Sequence, residues 1–323
     1  MCKSLLVKCG FTRTGKQRFK CNVCRVVRCR RRLDLKQRNV ASLKRRWMLG
    51  MNSLSDLAKE FKIHRTTLSR RFTQTKTILK KIPPKKLPTE LVIVLDGTAI
   101  SKQKILSLAY EKISDRPLAW SFDTRESYSS WRELLLVIKQ HFKVFAIVSD
   151  GQKGLKKAIK EIFPNAHHQR CMTHVIRLSL TRLTKNPQTK AGEDLRDLVL
   201  ILSKVKVQID ADVWKKLFEL WNQYYDPFLN EKSLNLFTNR KHFTHRRLRS
   251  VRSLIKNALP DLFHFLQDGR IPNTTNVVEG GINSPISELI KRQRGITNEQ
   301  KELLVSDYLR LRRKRNLSTR NAT

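Results

Sequence analysis

Three acidic residues stand where a carboxylate has no packing role. Asp96 and Asp150 each follow an apolar run of strand-like composition, and each precedes a glycine. Glu279 lies in a third stretch, at 274–281. Carboxylate oxygens at the end of a buried strand are ligands that Mg²⁺ or Mn²⁺ accepts, and such ions catalyse phosphoryl transfer. The pattern predicts a divalent-metal site for phosphate chemistry.

The charge balance of the chain points to the same partner. Of 323 residues, 67 are Lys or Arg and 27 are Asp or Glu, which gives a net charge of +40 and a pI near 10.6. Residues 1–90 alone carry 26 basic and 4 acidic side chains. Such an excess exceeds what solubility needs and suits a phosphate backbone. No apolar run approaches the ~20 residues of a membrane span, and no signal-peptide pattern opens the chain. A soluble cytoplasmic nucleic-acid-binding protein is therefore expected.

The elements that must position the acids follow from hydrophobic patterning. The predicted order is strand 91–96, strand 104–110, strand 117–122, helix 130–142, strand 144–149 and helix 154–163. Strand, hairpin, helix, strand, helix is the order of an RNase H-like mixed sheet in an α/β fold. Such a sheet would place Asp96 and Asp150 side by side at adjacent strand ends. Glu279 would come from a helix that packs against the sheet.

Composition shifts divide the chain into predicted segments. They are a zinc-ribbon-like segment at 1–30, a helix-turn-helix domain at 40–80, a linker at 81–89, the first part of an RNase H-like domain at 90–189, a helical insertion at 190–266 and the last part of that domain with a basic tail at 267–323. Three prolines mark the linker, because proline cannot continue a helix. The aromatic residues Trp214, Trp221, Tyr224 and Tyr225 are read as core of the insertion, with stacking on unpaired bases as the alternative.

Five of the six cysteines lie within the first thirty residues, where metal binding is favoured over disulfides in a cytosolic chain. Cys21 and Cys24 form one C-x2-C knuckle. Cys2 has the spacing of the second cysteine of an upstream pair, whose first member would precede Met1. We therefore expect a chain that starts late or descends from a longer one, with Cys9 as a substitute ligand. Zn²⁺ held by Cys2, Cys21 and Cys24 is one reading, and unliganded cysteines in a degenerate ribbon are the other.

A helix-turn-helix pattern follows the cysteines. Ser53 and Asp56 form a capping-box pattern before an apolar helical face, and a second helix begins at Arg65. The second helix makes several polar side chains available to a major groove, namely Arg65, Thr66, Thr67, Ser69 and Arg70. A basic run upstream, Arg30, Arg31 and Arg32, adds phosphate contacts. A plain helical hairpin has the same pattern and is the alternative.

Several motifs together resemble one family. They are Val94-Leu95-Asp96-Gly97-Thr98, Val148-Ser149-Asp150-Gly151, Cys171-Met172-Thr173-His174 and Thr275-Asn276-Val277-Val278-Glu279-Gly280, with Asn283, Ser287 and Arg294-Gly295 downstream. The sequence resembles bacterial insertion-sequence transposases of the Mutator-like branch of the DDE superfamily. That resemblance implies a metal-binding triad of Asp96, Asp150 and Glu279 in an RNase H-like domain.

The resemblance also implies a reaction and its partners. The chain would bind double-stranded DNA at the terminal inverted repeats of an element, cleave a strand and transfer it to target DNA. Because two ends must be brought together, at least a homodimer on DNA is expected, at the nucleoid of a bacterial cytoplasm. His174 is expected near the scissile phosphate as a hydrogen-bond donor or acid–base group, with Cys171 packed behind it. A complete zinc site at this C-x2-H is disfavoured because two further ligands are not nearby in sequence.

Two other functions fit parts of the sequence. A non-catalytic DNA-binding protein, such as a relict or repressor of the element, would need no working triad. An RNase H-like repair nuclease would share the sheet but not the cysteine and helix-turn-helix segments. The complete set of Asp96, Asp150 and Glu279 favours the catalytic reading.

Overall fold

The structure is a computed structural model of the chain. It describes residues 4–13, 15, 17–29, 40, 42–48, 52–74, 89–235, 239–293 and 295–318. Cys2, Arg30, Arg31 and Arg32, and nearly all of the predicted linker lie outside these residues. The chain divides into two compact units, 1–80 and 81–323. The finer division into segments stays a prediction.

The first unit contains a small sheet and a pair of helices. Their bounds are β1 Leu6–Phe11, β2 Gln17–Cys21, β3 Val27–Cys29, α1 Leu54–Glu60 and α2 Arg65–Gln74. The three strands form an antiparallel sheet in the order β1-β2-β3. The capping box predicted for α1 is confirmed, because the Ser53 hydroxyl accepts from Asp56 N–H and the Asp56 carboxylate accepts from Ser53 N–H. Leu57, Leu68 and Phe72 pack in the core of the helix pair.

The second unit is a mixed α/β structure with many helices. Its strands are β4 Leu91–Ser101, β5 Lys104–Glu111, β6 Arg116–Asp123, β7 Val144–Ser149, β8 His167–Arg170, β9 Lys232–Asn235 and β10 Arg240–Phe243. Its α-helices are α3 Tyr128–His141, α4 Lys153–Ile162, α5 Met172–Leu183, α6 Lys190–Leu202, α7 Gln208–Tyr224, α8 Asp226–Leu229, α9 Arg246–Ala258, α10 Asn276–Val278, α11 Ser284–Arg292 and α12 Asn298–Ser318. Within the described residues, no helix is long and apolar enough to cross a membrane.

A five-stranded mixed sheet in the order β6-β5-β4-β7-β8 forms the centre of this unit. The pairs β6–β5 and β5–β4 are antiparallel, and the pairs β4–β7 and β7–β8 are parallel. β4 is buried from Leu91 through Leu95, and α3 and α4 pack over the sheet through a core that includes Trp131 and Leu155. An apolar strand with helices over it accounts for the unbroken apolar run in the sequence.

The predicted strand end at Asp96 is wrong. β4 continues to Ser101, because its outer half stays paired with β5 through Asp96↔Leu108 and Thr98↔Leu106. What stops before Asp96 is the pairing with β7, whose last partner on β4 is Val94. Asp150 does follow the end of its strand. His167 and His168 lie in β8, the edge strand beside β7.

The segment 190–266 is largely helical, with one exception. A two-stranded antiparallel hairpin, β9 and β10, interrupts the helices. Trp214 and Trp221 are buried core residues, as predicted, and their indole N–H groups donate to the carbonyls of Leu198 and Ala191. Tyr224 is 79% exposed, so the prediction that it belongs to the core is wrong.

The buried indoles should dominate the stability of this helical region. Trp214→Ala is expected to lower the free energy of unfolding by about 3–5 kcal/mol, because it opens a cavity and removes the indole hydrogen bond to the Leu198 carbonyl. Urea unfolding followed by circular dichroism measures the loss. The matched control Tyr224→Ala should change it by no more than about 0.5 kcal/mol. Equal losses in the two variants would contradict this assignment of the core.

Candidate functional site

Asp96 and Asp150 occupy equivalent positions on neighbouring parallel strands. The register pairs Ile93 with Ile147 and Val94 with Val148. Asp96 and Asp150 each lie two residues beyond the last of these pairs, so both carboxylates leave the sheet at the same edge. The parallel pairing of β4 with β7 therefore brings together two aspartates that have 53 residues between them in the sequence.

A tight turn holds Asp150 after β7. Gln152 N–H donates to Asp150 Oδ1 at 2.9 Å, and Gly151 has a φ of +73°. The guanidinium of Arg170 donates to the Gly151 carbonyl and fills the space that a Cβ at residue 151 would need. Glycine is therefore required here both by backbone conformation and by close approach. Burial lowers the pKa of Arg170, and Asp150 acts in the opposite direction.

Glu279 lies on a helical segment that contacts β4. The segment is π-helical over Glu279–Asn283, between α10 and α11. Asn283 Nδ2 donates to Asp96 Oδ2 at 2.6 Å, so the segment is tied directly to the aspartate on the strand. Thr275 Oγ1 donates to Glu279 Oε1 at 2.6 Å, and a guanidinium nitrogen of Arg177 lies 3.8 Å from Glu279 Oε2.

Electrostatics show that the acidic groups act on one another. Asp96 is 8% exposed. Burial raises its pKa to about 7, with further raising by the negative charges of Glu279, Asp150 and Glu126 and an opposing effect from His174. Like charges near a desolvated carboxylate disfavour its ionised form. Without a counter-ion, these carboxylates form a negatively charged group that attracts a cation.

Glu126 was missed by the sequence analysis. Its carboxylate packs against the backbone of Gly97, where a Cβ would overlap it. Burial raises the pKa of Glu126, and the charge of Asp150 raises it further. The only sequence signal was its position directly before Ser127, the N-cap of α3, between the first two acids. Many helix starts carry an acidic residue, so that signal is weak.

Cys171 and His174 lie in the first turn of α5, beside Glu279. Cys171 is fully buried, and its Sγ accepts from Thr275 N–H at 3.3 Å, with Thr275 Oγ1 at 3.4 Å. His174 Nδ1 is 3.6 Å from Glu279 Oε1. Among the described residues, the ligand atoms of Cys171, His174 and Glu279 lie within 4.8 Å of one another. Contact with Cys171 raises the pKa of His174. Burial acts to raise the pKa of the Cys171 thiol, but its hydrogen bonds outweigh burial and lower it.

The predicted DNA-contacting residues lie in the first unit. On α2, Arg65, Thr66 and Arg70 are exposed and Thr67 and Ser69 are half-buried. They flank Leu68 on the outer side of the helix, as the pattern predicts.

Two of the three predicted zinc ligands are described and share one turn. Cys21 is 2% exposed, and its Sγ accepts from Cys24 N–H at 3.4 Å. Hydrogen bonds, first that from the Cys24 backbone, lower the pKa of Cys21 to about 6. Zinc binding here stays a prediction.

Part of the chain matches a known protein family. Residues 114–227 match the family model described as "Transposase, Mutator family". The predicted resemblance to Mutator-family transposases is confirmed. The Mutator-like segment contains Asp150, Cys171 and His174, whereas Asp96 and Glu279 lie outside it.

Two curated transposases resemble parts of the chain. One, for insertion sequence element ISRM5 of Rhizobium meliloti (strain 1021), is 34% identical over 92 residues, which is 28% of this chain and 23% of that protein. The other, for IS1201 of Lactobacillus helveticus, is 26% identical over 103 residues, 31% of this chain and 27% of that protein. The chain thus spans about a quarter of the length of these two relatives.

A solved structure of a ROK family transcriptional regulator, a homolog of the E. coli MLC protein, aligns with 86% of this chain and 98% of its own length. Its sequence identity is 9% and its TM-score 0.19, which is too low to relate the two folds.

The raised pKa of Asp96 gives a pH-dependent prediction for the metal-free protein. Ionisation of Asp96 lowers the free energy of unfolding, because its pKa is higher in the folded than in the unfolded state. This loss is absent below about pH 4, where Asp96 is protonated in both states, and it grows as pH rises towards 7. Asp96→Asn should therefore raise the free energy of unfolding at pH 8 in EDTA by up to about 4 kcal/mol, and by less at pH 5. Thermal or urea unfolding at both pH values measures the difference. The exposed control Glu219→Gln should show no such trend, and a gain from Asp96→Asn that does not grow with pH would refute the electrostatic account.

Proposed function

We propose that the chain is a DDE-type DNA transposase. It binds the terminal inverted repeats of an insertion sequence and catalyses metal-dependent strand cleavage and strand transfer. The proposal is supported by three acids from distant parts of the sequence: Asp96 on β4, Asp150 directly after its parallel neighbour β7, and Glu279 on a helical segment joined to Asp96 by Asn283. The charges of Glu279 and Asp150 both raise the pKa of Asp96. The family match supports the same reaction.

An RNase H-like fold for the second unit belongs to this proposal. It is supported by three antiparallel strands followed by two parallel ones, in the order β6-β5-β4-β7-β8. The first acid lies on the central strand β4 and the second directly after its parallel neighbour β7. Helix α3 connects the antiparallel and parallel halves, as the sequence pattern predicts.

The carboxylates fit Mg²⁺ or Mn²⁺ as cofactor. Asp96, Asp150 and Glu279 offer only oxygen donors, and Glu126 adds a fourth carboxylate beside Asp96 and Asp150. Hard cations prefer such donors. Burial first, and then the charges of Glu279, Asp150 and Glu126, raise the pKa of Asp96, and a divalent cation would favour its ionised form by neutralising those charges. When bound, the ions would stabilise the attacking and leaving oxygens of a phosphodiester.

The remaining residues of the site hold the carboxylates and position DNA. Asn283 fixes one oxygen of Asp96, and Thr275 fixes one oxygen of Glu279. The side chain of Arg177 is 57% exposed and near Glu279, where a guanidinium would contact a DNA phosphate. His174 is proposed to donate to the same phosphate. The dense positive charge of the chain would track the backbone without reading sequence.

Recognition of the element ends is assigned to the first unit, with α2 as the reading helix of a helix-turn-helix. Zinc bound through Cys21 and Cys24 would stabilise the adjoining ribbon-like sheet. At least a dimer on DNA, in a bacterial cytoplasm at the nucleoid, completes the proposal. A non-catalytic relict is not favoured, since the acids and the residues that orient them are all present.

Removing a metal ligand should separate catalysis from binding. Asp96→Asn and Asp150→Asn are each expected to lower Mg²⁺-dependent cleavage by more than about 100-fold, because even outer-shell partners of metals contribute 10–100-fold. DNA affinity should be nearly unchanged. The substrate is a supercoiled plasmid carrying the inverted repeats that flank the coding region, incubated with and without Mg²⁺.

Two further variants bracket that result. Glu126→Gln should lower cleavage as well, if its carboxylate serves the same site. Glu288→Gln is the control, because Glu288 is an exposed acid on α11 that pairs with Lys291. Full cleavage by both aspartate variants would refute the catalytic assignment, and wild-type binding without cleavage would favour the relict.

The role of α2 predicts two different responses to mutation. Arg65→Ala and Arg70→Ala should weaken binding to the repeats; a lost base contact costs about 1–3 kcal/mol, whereas a lost phosphate contact lowers the salt slope by about 0.9. Fluorescence anisotropy over a salt series distinguishes the two. Arg46→Ala is the control, since Arg46 pairs with Glu60 in the same unit. Unchanged affinity in both α2 variants would exclude this helix as the reading element.

A further inference from the structure

The thiol, imidazole and carboxylate of Cys171, His174 and Glu279 form a cluster at the side of the carboxylate site. We propose that this cluster binds a transition-metal ion of the zinc class, distinct from the Mg²⁺ or Mn²⁺ of the proposed reaction. The inference shares Glu279 with the proposed function but does not depend on DNA cleavage. It rests on the geometry of the three donors and on the residue that orients them.

The donors lie close enough together to converge on one ion. All three ligand atoms lie within 4.8 Å of one another, and His174 Nδ1 is 3.6 Å from Glu279 Oε1. That distance is long for a hydrogen bond. Two ligands each about 2.1 Å from a tetrahedral zinc ion lie about 3.4 Å apart, close to the observed separation.

His174 Nδ1 is shielded from solvent within the cluster, and no hydrogen bond of standard geometry satisfies it. Its polar neighbours are the other two members of the cluster, the Cys171 thiol and Glu279 Oε1, the latter at 3.6 Å. A buried polar atom left unpaired destabilises a fold by about 1–3 kcal/mol, so such atoms call for a physical reason. A metal ion between Nδ1, the sulfur of Cys171 and Glu279 supplies one.

Thr275 orients two of the three donors, as outer-shell residues of metal sites do. It is fully buried, its N–H donates to Cys171 Sγ at 3.3 Å and its hydroxyl donates to Glu279 Oε1 at 2.6 Å. The backbone N–H of Cys171 donates to the Ser149 carbonyl at 2.7 Å, which fixes the thiol next to the end of β7. The cluster is thus held by the same strand and helical segment that hold Asp150 and Glu279.

The donor set selects the class of metal. A thiolate and an imidazole favour Zn²⁺ and its analogue Co²⁺ over Mg²⁺, which prefers oxygen. Three protein ligands leave a fourth coordination position open, the pattern of reactive rather than closed structural zinc sites. Because Glu279 belongs to both sets, the ion would lie beside the carboxylate site.

Titration of the EDTA-stripped full-length chain with Co²⁺ tests the proposal. The host carries Cys21→Ser and Cys24→Ser, so that the amino-terminal knuckle does not contribute. A near-ultraviolet sulfur-to-cobalt charge-transfer band is expected at one equivalent. Adding Cys171→Ser should abolish the band, and Thr275→Val should weaken Co²⁺ affinity by about 10–100-fold.

Matched variants keep the outcomes distinct. Asp150→Asn should retain the band while losing Mg²⁺-dependent cleavage, so failure of the proposed function leaves this inference standing. His174→Gln keeps the thiol and should shift or weaken the band, which covers the case in which Cys171→Ser does not fold. Absence of the band in the host, or a band that survives Cys171→Ser, overturns the proposal.

Discussion

Crowding carboxylates around a buried aspartate is electrostatically unfavourable, and the second unit is arranged around that constraint. Burial first, and then the charges of Glu279, Asp150 and Glu126, raise the pKa of Asp96 to about 7. An acidic group near neutral pKa in the interior survives only where the surrounding structure is rigid enough to hold it. Here the rigidity comes from the apolar strand β4, buried from end to end of its parallel pairing. The apolar core therefore holds the carboxylates in an arrangement that their mutual repulsion would otherwise disrupt.

Two polar clamps complete this arrangement at the helical segment. Asn283 donates to Asp96 and Thr275 donates to Glu279, so that one oxygen of each carboxylate is held in place. Both clamps belong to one stretch of chain: Thr275 precedes α10, and Asn283 is the last residue of the π-helical segment. π-helical turns of this kind are frequent at functional sites. Pre-orientation of the acids lowers the reorganisation that substrate binding would require.

The same elements also bring a chemically different set of donors together. Cys171 follows β8 and caps α5, and its backbone bonds to the last residue of β7. That hydrogen bond places the sulfur of Cys171 beside the carboxylate site, within 4.8 Å of the ligand atoms of His174 and Glu279. One glutamate thus faces an oxygen-rich group on one side and a thiol–imidazole pair on the other. If both proposals hold, hard and soft cations would compete for Glu279.

The sequence alone was sufficient for features governed by local periodicity and charge. Two of these features, the apolar run before Asp96 and the capping box at Ser53, depend on a few neighbouring residues, and the basic excess depends on composition alone. They could therefore be predicted from the sequence pattern. Tertiary structure alone decided that β4 runs past Asp96, because the extra length depends on pairing with β5. It alone added Glu126 and joined Asn283 to Asp96. Contacts between residues more than a hundred positions apart are set by packing of the whole unit, and no local pattern encodes them.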